Sequence, residues 1–365
     1  MKIDYINLVN QSNLEKKELI NIFNKVISSG IFVGGKYVNE FERKMSNYLK
    51  ISNCVSLNSG TDALVLALHA SGIRKGDEVI TTPNSFIAST SVIVHLGAKP
   101  VFVDVKDDQN IDADKIEEKI TKKTKAIMPV HLTGRVCEMD KILKISRKYK
   151  LSVIEDAAQA IGSKFNGIFA GKFGDFGCFS AHPLKNLNAM GDSGYLITKS
   201  KKHANYISDL KNHGMTDRNK IKNFGYVSRM DNLQAAILSY RMKHLNDIIK
   251  IRRQNFNIYK KYLNRKIVYF PEEKNKEFNT YHTFVIQVPH RNKLKMYLKK
   301  KGVQTAIHYP VPIHLQPAAK RLGYKYGDFP ITEKQSKKII TLPINQYLKK
   351  KEIIFISNLV NEFYK

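Results

Sequence analysis

From about Ser52 to Thr198, short runs rich in β-branched residues alternate with amphipathic segments of helical period, which constrains the fold more than any other feature of the chain. The strand candidates are CVSLNS, DEVITT, KPVFVDV, KAIMPVHL, LSVIEDA, FGCFSA and SGYLIT. Helix-like stretches such as TDALVLALHASG and MDKILKISRKYK lie between several of them. Alternation of this kind predicts an α/β protein with a mostly parallel sheet and helices on its faces. The strand runs are almost uninterrupted in apolar residues, as expected where both faces of a sheet are covered. Met230 to Leu263 then reads as one or two helices, followed by strand patterns at HTFVIQVP and VQTAIHYP and a closing helix from Lys350 to Tyr364. The expected division is a large domain over 1–244, including an N-terminal arm, and a smaller α/β domain over 245–365.

At 365 residues the chain is long enough for both units. No run approaches the ~18 apolar residues of a membrane span, and the opening MKIDYINLVNQ lacks the pattern of an export signal. Cys54, Cys137 and Cys178 are odd in number, widely spaced and without a C-x-x-C pair, which argues against a disulfide framework or a zinc site. The expected location is the cytoplasm, with no membrane partner. The formal charge of +29 raises nucleic acid as a partner. However, no helix-turn-helix, zinc finger or aromatic RNA-binding signature accompanies the lysines. In the densest basic region, Arg241 to Lys301, Lys243, Lys250, Lys260 and Lys261 fall on polar helix faces. They read as solvated surface, and no nucleic-acid partner is expected.

Open parallel sheets bind ligands at the carboxyl ends of their strands, so the polar residues there are the ones to weigh. Asn58-Ser59-Gly60-Thr61-Asp62 runs from a strand into a helix, whose unpaired N–H groups suit a phosphate; taken alone, the motif reads more simply with Thr61 as the helix cap. Asp156 follows a buried strand and needs a cation or several donors, either a ligand's ring nitrogen or a structural Arg or Lys. Gln159 lies one helical turn further on. In FSAHPLKN, Ser180 and Lys185 lie just past a strand, where a lysine loses solvation and becomes a Schiff-base candidate. Phe86, in Pro83-Asn84-Ser85-Phe86, is either core or a platform for an aromatic ring.

These motifs, taken in order, resemble the DegT/StrS-type sugar aminotransferases, which have the aspartate-aminotransferase fold, fold type I of the pyridoxal-phosphate enzymes. The resemblance spans nearly the whole chain. It runs from SGIFVGGKYVNEFE through NSGTDAL, NSFIAST, GAKPVFVDV, VIEDAAQAIG and FSAHPLKNLNAMGDSG to FGYVSRMDNLQAAIL and AIHYPVPIHLQP. It implies pyridoxal 5'-phosphate as cofactor, held covalently by Lys185, which also moves the proton. Asp156 would keep the ring nitrogen protonated, Gln159 would meet the phenolic oxygen, Gly60, Thr61 and Ser180 would bind the phosphate, and Phe86 would stack on the ring. Arg229 would reach phosphate or substrate in the neighbouring subunit of a homodimer with composite sites. His308, Tyr309 and His314 would line the sugar pocket; the bare sequence suggests a metal pair for the two histidines, but no third ligand keeps metal spacing, and no metal is expected.

The chain departs from the family at Val227, where many relatives carry an asparagine phosphate donor; either Ser228 or Tyr226 compensates for it or cofactor affinity is lower. It departs again at Asn188 and Ser193, where glycine is frequent, and neither is expected to touch the core chemistry. The implied reaction moves an amino group from glutamate to a keto sugar, typically a nucleotide-linked 3- or 4-keto deoxysugar used in glycan or polysaccharide assembly. A sugar dehydratase of the same family is the alternative enzyme, but such relatives replace the lysine that stands here as Lys185. A regulatory, nucleic-acid-binding member is the alternative outside catalysis, and the set Asp156, Gln159, Ser180 and Lys185 argues against it.

Overall fold

The computed structural model describes residues 2–365. All seven strand candidates of the first half form one sheet: β1 Asn53–Leu57, β2 Glu78–Thr81, β3 Lys99–Phe102, β4 Thr124–Ile127, β5 Ser152–Asp156, β6 Phe176–Ser180 and β7 Gly194–Thr198. Their order is β1-β7-β6-β5-β4-β2-β3. β7 runs antiparallel to both its neighbours, and the other pairings are parallel. The unbroken apolar runs have a direct explanation in the packing. Successive strand residues point to opposite faces, and here each face meets its own core. Val153 and Ile197 pack with Phe41 and Met45 on one side. Their neighbours Ile154 and Leu196 pack with Leu64 and Ile93 on the other.

The segment Met230–Leu263 resolves into helices Asn232–Arg241 and Leu245–Tyr262, joined by a single tight turn at Met242–His244. The second helix bridges two cores. Leu245 and Ile249 pack into the large one, whereas Phe256 and Tyr259 pack with Phe284, Leu342 and Val360 in a third. The expected division at 244/245 therefore falls at the start of a shared helix. Ile3 also belongs to the third core and bridges to Val303, which ties the N-terminus to the C-terminal unit. HTFVIQVP supplies the strand Phe284–Gln287, paired antiparallel with Ile339–Leu342. VQTAIHYP does not form the expected strand, since only Val303 and Ala306 make isolated bridges, to Ile3 and Thr341. The closing helix runs Lys350–Phe363. Among the described residues no helix is long and apolar enough to cross a membrane, and no three His, Cys, Asp or Glu residues cluster as a metal site.

Candidate active site

The carboxyl ends of β1, β5 and β6 open onto a cavity of about 420 Å³ lined by Gly60, Thr61, Phe86, Asp156, Gln159, Ser180 and Lys185, with Ser59, His308 and Tyr309 among the others. β1 leads into the helix Gly60–Ala70. Ser59 is the cap of that helix, its hydroxyl accepting from the Asp62 N–H at 3.1 Å. Thr61 therefore does not serve as the cap, and the first N–H groups of the helix have no intrahelical acceptor. A Cβ on Gly60 would stand 2.7 Å from Ser180 Cβ. Only glycine lets the start of the helix lie against the end of β6, so both phosphate-binding candidates face one space.

Asp156 is buried at the end of β5. One carboxylate oxygen accepts from Ser89 Oγ at 2.8 Å and the other from the Ala158 N–H at 3.2 Å. No lysine or arginine among the described residues forms an ion pair with it, so the structural-cation alternative is absent and a ligand cation can take the position. Gln159 is oriented from both ends: its oxygen accepts from the Thr133 N–H at 2.8 Å, and its amide reaches the Tyr309 hydroxyl at 3.4 Å.

Lys185 is placed by its backbone, whose N–H donates to the His182 carbonyl at 2.8 Å in the turn after β6. Burial pushes its ammonium down to about 8, and Asp156 is the charge that pulls the other way. A lysine that spends much of its time as the free amine is the nucleophile and base that carbonyl chemistry requires. Phe86 is 58% exposed, with its ring centroid 6.2 Å from that of Tyr309, so a ring face is open for a ligand rather than buried as core.

His308 and Tyr309 line the cavity. His308 Nδ1 lies 2.9 Å from Thr341 Oγ1, and its ring stacks at 6.1 Å on Tyr5. Burial, then the charge of Lys185, lowers His308 to about 4 and holds His282 well below the usual histidine range. Both imidazoles are thus neutral hydrogen-bonding groups near neutral pH. Burial raises the Tyr309 phenol, which stays protonated.

His314 corrects the expectation. It is buried away from this cavity, 3.0 Å from Glu333 and edge-on to Phe329 at 4.7 Å, because the turn Ile313–Leu315 directs it into a separate apolar cluster. Arg229 does not line the cavity of its own chain, where it donates to Asn212 Oδ1 at 3.2 Å. Ser228 is buried, and its hydroxyl is engaged by Asn58 Oδ1 at 3.4 Å, so it is not free to replace an asparagine at Val227.

The two turn departures matter more than their positions implied. Ser193 lines the cavity with a buried hydroxyl that has no hydrogen-bond partner among the described residues. Asn188 closes the turn that carries Lys185, donating to the Pro183 carbonyl at 2.7 Å and exchanging hydrogen bonds with Gln11. Tyr5, His282 and Thr283 are lining residues that sequence reasoning missed, and Ser89, which holds Asp156, is another.

A carboxylate lacking a protein cation, a desolvated lysine and an anion-accepting helix start, gathered at the strand ends of this sheet, meet the demands of a fold type I pyridoxal-phosphate aminotransferase. The comparisons with known proteins agree. The model of the DegT/DnrJ/EryC1/StrS aminotransferase family matches residues 13–361, and the chain belongs to that family. Two relatives match end to end. The pleiotropic regulatory protein of Geobacillus stearothermophilus is 37% identical, over 100% of this chain and 99% of its own. The dTDP-3-amino-3,6-dideoxy-alpha-D-galactopyranose transaminase of Aneurinibacillus thermoaerophilus is 38% identical, over 99% of each. S. venezuelae DesV, solved in complex with a ketimine intermediate, superposes with a TM-score of 0.97 at 31% identity, covering 100% of this chain and 99% of that one. NtdA from Bacillus subtilis, solved with bound cofactor PMP, gives 0.87 at 33% identity, covering 97% and 83%.

Proposed function

We propose that this sugar aminotransferase takes an amino group from glutamate and places it on a nucleotide-linked 3- or 4-keto deoxysugar, in the cytoplasm, for glycan or polysaccharide assembly. The observation that carries the reading is the pairing of Lys185 with Asp156 in one cavity, the first desolvated and the second without a cation. Pyridoxal phosphate, when bound, supplies an electron sink for the charge left as the donor's α-proton departs. Asp156 would hold the proton on the ring nitrogen, and Ser89 and the Ala158 N–H would keep its carboxylate aimed. The helix start at Gly60 and Thr61, with Ser180, would take the phosphate, and Gln159 would meet the phenolic oxygen. Lys185 would take the α-proton and return it one carbon away. His308 and Tyr309 would offer the sugar neutral hydrogen-bonding groups, while Lys185 in place argues against the dehydratase alternative. The relative from Aneurinibacillus, a dTDP-sugar transaminase by name, supports a nucleotide-linked acceptor. Incubation with glutamate and a panel of keto sugars, free and nucleotide-linked, followed by mass spectrometry and NMR, tests this directly. An aminated product only from keto sugars without a nucleotide would overturn the nucleotide assignment.

The lowered lysine makes a further expectation. Only the neutral amine attacks an aldehyde, so capture of pyridoxal phosphate by the cofactor-free protein should rise with pH through about 8. At pH 7.5 about a quarter of such a lysine is neutral, against about one in a thousand for an ordinary one. Stopped-flow absorbance reads the midpoint, and a midpoint near 10 would show that the amine is not desolvated.

Composite sites in a homodimer belong to the same reading. The helix Leu8–Ser29 exposes Val9, Leu14, Ile20, Phe23 and Ile27, and nearly all of Phe224 is open, at 99% exposure. A second copy is the natural cover for so much apolar surface, and Arg229 has no place in its own chain's cavity. Equal mixing of inactive Lys185→Ala and Arg229→Ala proteins under subunit exchange should restore about a quarter of normal donor half-reaction activity. Half of randomly paired dimers are mixed, and each mixed dimer holds one intact site. No rescue despite confirmed exchange would end the cross-subunit role of Arg229.

A further inference from the structure

A second cavity, about 760 Å³, shares no lining residue with the first. Lys50, Lys164, Lys172, Lys250 and Arg253 line it, together with Tyr48, Phe169 and Phe278, and no aspartate or glutamate does. The cations come from separate elements. Lys50 ends the helix Lys36–Leu49, Lys164 begins the short hairpin after β5, Lys172 follows that hairpin, and Lys250 and Arg253 stand on the helix Leu245–Tyr262. Gly162 explains how they meet. At a φ of +84°, its missing Cβ would lie 2.5 Å from Ile249 Cδ1, so the hairpin can lie directly against that helix.

Neutralisation within the chain is partial. Arg253 is paired with Glu273 at 2.7 and 2.9 Å. Lys172 donates to the Lys50 carbonyl at 2.7 Å, which caps the end of a helix. Lys164 rests over Phe169 at 4.4 Å, and Lys50, Lys164 and Lys250 form no ion pair with a described residue. Lys172 sits below its usual value because of burial and then the charges of Lys199 and Lys50. Lys250 is exposed, as the sequence pattern has it, and its helix face also forms one wall of this basic cavity.

We propose that this cavity is a second ligand site, separate from the active site, for a small molecule bearing a diphosphate. Three ammonium groups without an ion-pair partner among the described residues line the cavity from three elements and offer more positive charge than the about −2 of a single phosphate group neutralises, and the volume falls within the range of small-ligand pockets, roughly 300–1,000 Å³. The cations converge on a concavity instead of forming the track that a nucleic-acid backbone would follow. Inorganic pyrophosphate and a nucleoside diphosphate share the recognised chemistry.

Isothermal titration of the cofactor-loaded enzyme with pyrophosphate, and separately with dTDP, tests the site. Pyrophosphate should bind once per chain. Lys164→Ala combined with Lys250→Ala should weaken it at least about tenfold, the scale of lost charge-assisted contacts. The donor half-reaction should be unchanged in that variant, and Lys172 is left in place because it caps a helix. A control removing the exposed Lys299 and Lys300 should change pyrophosphate affinity by less than about twofold. If dTDP binds more tightly than pyrophosphate and loses that advantage in the double variant, the nucleoside is part of the ligand; equal affinities assign the diphosphate alone. Unchanged binding in the double variant, an equal loss in the control, or displacement of pyrophosphate by a lower concentration of an RNA oligonucleotide would each overturn the proposal.

Discussion

Lys185→Ala should lower transamination at least about a thousand-fold, combining the loss of a positioned proton carrier with the loss of covalent attachment. The fold should survive. Lys185 is fixed by its backbone N–H to the His182 carbonyl, a bond that alanine keeps. The ammonium itself contributes little to stability, since burial has already moved it down to about 8. Removing a desolvated cation should leave the melting temperature unchanged or slightly raised. The variant should bind pyridoxal phosphate without a covalent link and yield no borohydride-trapped adduct on the peptide containing position 185. Near-normal turnover in Lys185→Ala would end the assignment, as would an adduct on another lysine.

Much of the fold was legible because its signal is local. Val153 and Ile154 are adjacent yet belong to opposite cores, and that arrangement is what writes an unbroken apolar run into a strand. VQTAIHYP carries a similar pattern without becoming a strand. Its bridging partners are Ile3, at the far end of the chain, and Thr341, and each meets it at one residue only. Nothing local encodes such partners. His308 and His314 illustrate the same limit at the site. Both follow a short apolar stretch six residues apart, but Glu333, nineteen residues beyond His314, draws it into another cluster. Ser59 and Thr61 are both competent caps, and the choice between them depends on where the helix begins at the edge of the sheet. Ser89 could not be assigned from its motif because Asp156, 67 residues away, gives it its role. Gly60, Asp156, Ser180 and Lys185, which line one cavity, lie at strand ends or in the turns that directly follow them, where topology fixes what a side chain faces.

Asp156→Asn should separate chemistry from stability. An amide cannot hold a proton on a ring nitrogen, so the half-reaction should slow by about a hundred-fold or more, equivalent to about 2.7 kcal/mol of barrier. The hydrogen bonds around the residue can nevertheless be rebuilt. Asparagine's oxygen can accept from the Ala158 N–H, as the carboxylate does at 3.2 Å. Its amide can donate to Ser89 Oγ, whose own proton then turns to the Phe86 carbonyl at 3.3 Å. Each buried polar group keeps a partner, so the stability change should stay within about 1 kcal/mol. A carboxylate retained to neutralise a structural arginine would behave in the opposite way, because its loss strands a buried charge at a cost of about 3–5 kcal/mol. No such arginine contacts Asp156, whose own partners are a hydroxyl and an N–H. Measuring melting temperature beside the half-reaction rate distinguishes the two. A large fall in melting temperature with a nearly intact rate would mean that Asp156 serves the fold and that the ring nitrogen is held by another group.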